Sequence, residues 1–354
     1  MSASLILFHI VLPQDVPVLR PMILLATSLP GKRVELLVSK HLIGLPVGEE
    51  VDKLSSELGL TTTYCEPGED AARQLEERSG MLIVGHESSV PPHHLTHDLF
   101  KALPNSFLKV TPQQGFESIG FLHNAAHEAA YGSNIRFAGD VVVGWFAEER
   151  LTSFPPAERS KLFVAGPPIM IAPRPESKPI AAPDRRFGMI CENLHSLRFT
   201  SPEVHEYFLA QFFAFAERVH AAGASIDFRP HPAGQFTDRM GLKLPPGVER
   251  NGRPLYEQDL NAFGFAISPP SSILFDFVVA KVPTAVWIDA EGRMDHANFA
   301  GLETVSSADE WWSFAERSTR ERDAILANQE RFLESLRIPA DVAGRYAELL
   351  SRAA

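Results

Sequence analysis

The chain lacks most of the features that announce a chemistry. Only two of its 354 residues are cysteine, Cys65 and Cys191, far apart and each in an apolar setting. That excludes a disulfide-stapled scaffold and a cysteine metal cage, and it points to a reducing compartment. No apolar run reaches about 18 residues, the length a membrane-spanning helix needs. Met1 to Leu12 has neither a basic n-region nor a small-residue cleavage site, so it reads as a first strand and not as a signal peptide. Positive charge is short: 33 Lys and Arg face 44 Asp and Glu, a net charge of −11. General affinity for nucleic acid or an anionic membrane is therefore not expected. A Walker lysine motif and a G-x-G-x-x-G turn are both missing, which argues against a P-loop NTPase or an ordinary NAD enzyme. These absences leave a cytoplasmic protein, with peripheral membrane contact open.

What is present is alternation. Strand candidates at Leu5–Leu12, Val34–Val38, Thr61–Cys65 and Met81–Gly85 alternate with helical patterns at Val18–Ser28, Glu49–Leu58 and Asp70–Arg78. Phe107–Val110, Val141–Phe146 and Leu162–Ala165 continue the series, while His86 to His97 reads as a loop rich in His, Ser and Pro. Such spacing is the mark of a doubly wound parallel sheet. Six prolines between Gly166 and Arg186 interrupt it and mark a linker. A second alternating set follows: Phe187–Cys191, a long helix from Pro202 carrying Phe208, Phe212 and Phe215 on its apolar face, Ser225–Phe228 and Gly247–Glu249. The expected fold is α/β, two Rossmann-like domains facing across a cleft with a helical tail. Residues 1–170 form the first domain, 171–186 the linker, 187–308 the second domain and 309–354 the tail.

The most informative stretch runs from Ala262 to Ile288. Phe263 to Ile267 reads as a strand buried on both faces. Ser268-Pro269-Pro270 stops it, because proline supplies no ladder donor and turns the preceding residue away from helix. Ser271 and Ser272 then open a helix. Hydroxyls beside unpaired backbone N–H groups, above the carboxyl end of a parallel strand, suit an anion; the plainer alternative is that Ser271 is an N-cap. Upstream, Arg229 and His231 leave another strand end in a loop stiffened by Pro230 and Pro232. Arginine binds phosphate in bidentate fashion and histidine can donate to a bridging or leaving oxygen. Glu192, Asn193 and His195 follow Phe187–Cys191 directly, and Glu192 suits a ribose or sugar hydroxyl as well as a structural role.

The set Arg229, His231, Pro232, Ser268, Ser271, Ser272, Phe275, Asp276, Lys281 and Pro283 is similar to the C-terminal half of CDP-glycerol glycerophosphotransferases. Capsule-polysaccharide, sialic-acid and Kdo transferases of the GT-B fold resemble it in the same parts. The resemblance implies that His231 and the two serines hold the phosphate of a cytidine-nucleotide donor. Leu99 to Asn105, Leu108 to Gly115 and Ile119 to Phe121 resemble the family's approach to its His-Gly motif, whose histidine is the implied base on the acceptor hydroxyl. Gln114 stands at that position here, and an amide cannot take the proton.

A base must lie within hydrogen-bond reach of its proton with a suitable pKa. Glu117 and His123 follow Gln114 closely, and Asp15 sits in the loop after the first strand, where many GT-B enzymes keep their base; each is equally readable as a cap or a solvated residue. His93, His94 and His97 have metal-like density but no supporting ligand pattern, so no metal site is expected. The absence of Asp-x-Asp near a strand end argues against a metal-dependent GT-A enzyme. The function expected is transfer of a sugar or polyol phosphate from a CMP- or CDP-activated donor to a glycan or lipid-linked glycan acceptor, with no cofactor and no metal. Two alternatives stand beside it: a UDP-sugar transferase or epimerase, and a degenerate transferase domain serving as a binding subunit.

Overall fold

The structure is a computed structural model that describes residues 3–171, 187–199, 201–232, 236–292 and 294–353. All but the first residue of the expected linker, 171–186, lies outside that set. The chain divides into two compact units. The first comprises Met1–His123, His127–Pro173 and Arg337–Ala354, the second Asn124–Ala126 and Arg174–Leu336.

The first unit is built on seven parallel strands: β1 (Ser4–Ile10), β2 (Lys32–Ser39), β3 (Thr61–Cys65), β4 (Gly80–Val84), β5 (Phe107–Pro112), β6 (Val141–Gly144) and β7 (Leu162–Val164). Their order is β3-β2-β1-β4-β5-β6-β7. Alternation along β1 explains why both faces are covered. Ile6, Phe8 and Ile10 pack against Leu19, Met22 and Ile23 of the helix Asp15–Ser28, while Leu5 and Leu7 pack with Leu99, Phe100 and Leu103 on the other side. The first helix begins at Asp15, three residues before its apolar period becomes visible in the sequence. Part of the expected loop His86–His97 is ordered as a 3-10 turn, Pro91–His93, and as the start of a helix, His94–Ala102. Three histidines and two prolines mask its apolar face, which Thr96, Leu99 and Phe100 bury.

The expected tail does not behave as one piece. The helices Ala308–Arg320 and Arg322–Ser335 belong to the second unit, but Val342–Ser351 buries Val342, Tyr346, Leu349 and Leu350 in the core of the first. Tyr346 donates to the Gly166 carbonyl at 3.0 Å. Gly166 has φ +95°, and a Cβ there would stand 2.6 Å from Val342, so only glycine lets this helix seat.

The second unit has six parallel strands: β8 (Phe187–Cys191), β9 (Ser225–Arg229), β10 (Val248–Arg250), β11 (Phe265–Ser268), β12 (Thr284–Trp287) and β13 (Glu303–Val305), in the order β10-β9-β8-β11-β12-β13. β13, three residues at the edge, is too short to show a period in the sequence. The phenylalanine stripe is core as expected: Phe208, Phe212 and Phe215 pack with Phe228, Phe265, Trp287 and Trp311. Each such side chain contributes about 2–3 kcal/mol on burial. Gln329 fastens the helix Arg322–Ser335 to the sheet by accepting from Thr284 N at 2.8 Å and donating to Val282 O at 3.0 Å.

Both sheets reverse their winding once, at β1/β4 and at β8/β11. There the loops leaving the two carboxyl ends run in opposite directions and open a crevice, the place where α/β sheets hold ligands.

Candidate active site

In the first unit the β1/β4 reversal is occupied by a buried polar cluster centred on Asp15, the first residue of its helix. Asp15 is fully buried, yet four donors converge on its carboxylate. Oδ2 accepts from the backbone N–H groups of Val11 at 2.9 Å and Leu12 at 2.7 Å. Oδ1 accepts from His86 Nδ1 at 2.9 Å and from Gln114 Nε2 at 2.7 Å. Burial alone would raise the Asp15 pKa. The charge and hydrogen bond of His86, helped by the Leu12 and Val11 amides, outweigh it and hold the carboxyl below its ordinary value.

An ionised carboxylate only accepts, so His86 must carry its proton on Nδ1. That leaves His86 Nε2 without a hydrogen-bond partner among the described residues. A histidine held in one tautomer by a buried aspartate, with its second nitrogen open, is the geometry of a general base; the aspartate stabilises the imidazolium that forms. Gly85 permits it. A Cβ at that position would lie 2.3 Å from Asp15 Oδ1, so Gly85→Ala should dislodge the carboxylate. We expect a loss of about 1–3 kcal/mol in stability, together with most turnover, read by thermal melting and by the activity assay described below.

A second imidazole borders the first. The rings of His86 and His93 stand 4.9 Å apart, and Ser88 Oγ lies 2.7 Å from His93 Nδ1. Burial, reinforced by His86, lowers the His93 pKa to about 3, so this ring stays neutral beside His86. The other two histidines of the triplet go elsewhere: His94 donates to Pro91 O at 2.7 Å and His97 pairs with the buried Glu87. No group of three or more His, Cys, Asp or Glu suited to a metal occurs among the described residues.

Of the three residues proposed from sequence as the base, Asp15 sits at the centre of the cluster, but its carboxylate is enclosed. Glu117 is buried at 9% exposure, while His123 is exposed and pairs with Glu128 at 3.1 Å. Neither bonds to Asp15. Gln114, at the position where the resemblance sets a histidine, does. The sequence reading missed His86, His93 and Ser88. The available signal was a histidine directly after a glycine at a strand end.

In the second unit Arg229 pairs with Cys191 across β9 and β8, and Ser268 follows Ile267, which pairs with Ile190 across β11 and β8. The three loops leaving these strand ends carry the remaining candidates. Asn193 Nδ2 donates to Pro270 O at 2.6 Å and so ties the β8 loop to the turn before Ser271. Ser271 occupies the N-cap of the helix Ser272–Val279 without a side-chain capping bond. Ser268 is fully buried and donates to Pro269 O at 2.9 Å, bracing the turn. The Arg229 guanidinium donates to Arg253 O. His231 packs on His195 with ring centroids 3.9 Å apart, and burial, then His195 and Arg229, lower its pKa to about 3. Glu192 is turned to structure: its carboxylate accepts from Phe236 N and from the amide and hydroxyl of Thr237, at 3.1 and 2.6 Å for the latter two. Those three donors account for a side chain that sequence alone left equally suited to a ribose.

No family model matches the chain, and no curated protein matches it in sequence. Solved structures do match in fold. UDP-GlcNAc 2-epimerase from Neisseria meningitidis, bound to UDP-GlcNAc, superposes with a TM-score of 0.55 at 11% identity over 98% of either chain. A glycosyltransferase from Rickettsia africae gives 0.53 at 13% identity over 99% of this chain and 98% of that one. The glycotransferase of kitacinnamycin gives 0.53 at 14% over 99% of each. At such identities the likeness speaks to fold, and the fold is GT-B.

Proposed function

We propose that the protein is a nucleotide-sugar-dependent glycosyltransferase in which His86, oriented by Asp15, is the base. The Asp15–His86 pair carries this reading. His86 Nε2 takes the proton of an acceptor hydroxyl as that oxygen attacks the donor's anomeric carbon. The bond from that carbon to the phosphate oxygen breaks, and its electron pair leaves with the nucleotide. Asp15 offsets the positive charge that His86 acquires, and Gln114 holds Asp15 in place. In the second unit, Arg229, His231 and the Ser271–Ser272 helix start meet the charge growing on the departing nucleotide.

The donor's base is a finer matter. The Arg-x-His-Pro loop and the Ser-Ser helix start favour a cytidine nucleotide, whereas the fold's likeness to an epimerase bound to UDP-GlcNAc favours a uridine one. A melting panel with CMP, CDP, UMP, UDP and GDP separates them, since a ligand bound only by the folded state raises its stability as it saturates. The acceptor is a glycan hydroxyl, free or lipid-linked; among the described residues no helix is long and apolar enough to cross a membrane. UDP-sugar epimerisation is the second reading, favoured by the imidazole of His93 beside that of His86.

For the donor half, His231→Ala should weaken binding of the best nucleotide by about 1.5–3 kcal/mol, the scale of a charge-assisted hydrogen bond. Calorimetric titration measures it. Unchanged affinity would remove His231 from the site.

A further inference from the structure

His195 has no role in the reading above, yet its ring lies against that of His231. With 3.9 Å between centroids and a 40° tilt, the two imidazoles touch, and two imidazolium ions cannot share such a contact. Each holds its pKa below the ordinary histidine value, through loss of solvation first, although His195 as a whole residue stays exposed. The next contributions are His195 and then Arg229 for His231, and Arg239 for His195. Around neutral pH the pair is therefore neutral.

The groups facing the pair set what a ligand would change. Arg229 stands at the end of β9, and Arg239 reaches His195 from the helix Phe236–Arg239. Glu192, beside them on the β8 loop, is taken up by Phe236 and Thr237. His205 is occupied with Leu194 O at 2.9 Å. Asp276, on the helix Ser272–Val279, acts on Cys191, the β8 partner of Arg229. The described surroundings thus hold two arginines and two carboxylates, of which Glu192 is engaged by Phe236 and Thr237. A third positive charge is unfavourable there until an anion arrives. A phosphate within about 4–6 Å reverses the balance and favours the charged imidazole.

We propose that His195 is a second phosphate ligand of this site, and that His195 and His231 together take up one proton from solvent when a nucleotide phosphate binds, an inference that rests on the nucleotide reading above. The proton belongs to the pair, as in any strongly coupled set of titrating groups. Mutual repulsion limits the uptake to one.

Isothermal titration with UDP and with CDP, near pH 7 in two buffers of different ionisation enthalpy, counts the protons. The nucleotides' own phosphates, with a second pKa of about 6, are then largely ionised and contribute little. The expected uptake is about one half to one proton per nucleotide. Because log affinity changes with pH by the number of protons taken up, Kd should rise by as much as roughly tenfold per pH unit above neutrality. His195→Phe keeps a ring against His231 but cannot be protonated or donate. It should weaken binding at least about tenfold and reduce the uptake, with an unchanged melting temperature. Heats that agree between buffers while nucleotide binds would overturn this proposal and leave the nucleotide reading standing. So would a His195→Phe protein that binds with unaltered Kd and proton count. Failure of both nucleotides to bind would overturn the two together.

Discussion

Asp15→Asn should lower turnover by roughly 10²–10⁴-fold, the usual cost of a lost or misoriented base. The carboxylate accepts from four donors, two of them backbone amides at 2.9 and 2.7 Å. An asparagine offers one oxygen, so its NH2 must face N–H groups, and His86 loses the bond that sets its tautomer. His86→Gln is the companion variant. It removes the base but keeps a polar side chain, and it should match Asp15→Asn in rate with a smaller loss of stability. Nucleotide binding, which we assign to the second unit, should survive in both. Glu117→Gln and His123→Ala should stay within a few-fold of the parent, since neither side chain bonds to Asp15. If either of those abolished transfer while His86→Gln did not, the base has been misplaced.

The second large effect is on stability against acid. Burial lowers His9 to about 4, and His93 and His231 to about 3. His9 is fully buried; its Nδ1 donates to Leu37 O at 3.0 Å and its Nε2 has no partner among the described residues. In the unfolded chain these rings titrate near 6.5, so below that pH the unfolded state binds protons that the folded state refuses, and unfolding gains. The stability they contribute is complete above pH 6.5 and is lost as pH falls through the folded values. At pH 5 this amounts to roughly 2 kcal/mol per histidine, at 1.36 kcal/mol for each pKa unit. Asp15, whose pKa is lowered from 3.8, adds its own loss only below about pH 4, so the histidine window stands clear of it. Melting temperature should therefore drop steeply between pH 6.5 and 5, and His93→Gln should flatten the curve. A flat profile across that range would show that the imidazoles are not held neutral.

How far the sequence could lead follows from what kind of information each feature uses. The strands showed in their apolar runs because parallel strands are covered on both faces. The strand ends and the helix start that carry Arg229, His231, Ser271 and Ser272 were legible because they are local patterns. The tail was legible as helical, but the partners that Val342–Ser351 finds in the first core were not, because they are remote in the chain; nor was β13, which is too short to show a period. The His86–Asp15 pair lies 71 positions apart. It exists because β4 sits beside β1 at the point where the sheet reverses, and strand order is not written in local periodicity. Gln114 looked like a departure from a catalytic pattern. Its hydrogen bond to Asp15 makes it part of the buried polar cluster to which we assign the base, which weighs against reading the domain as degenerate.

Release of nucleotide from UDP-, CDP- and CMP-linked sugars, with and without a glycan acceptor, tests the central claim most directly when parent, His86→Gln and Asp15→Asn proteins are run side by side. The account predicts that the parent frees nucleotide from one donor class, faster with acceptor, and that both variants bind that nucleotide normally while releasing it at least about a hundredfold more slowly. Release at the parental rate by His86→Gln, or none from any donor by a parent protein that binds the nucleotide, would contradict it.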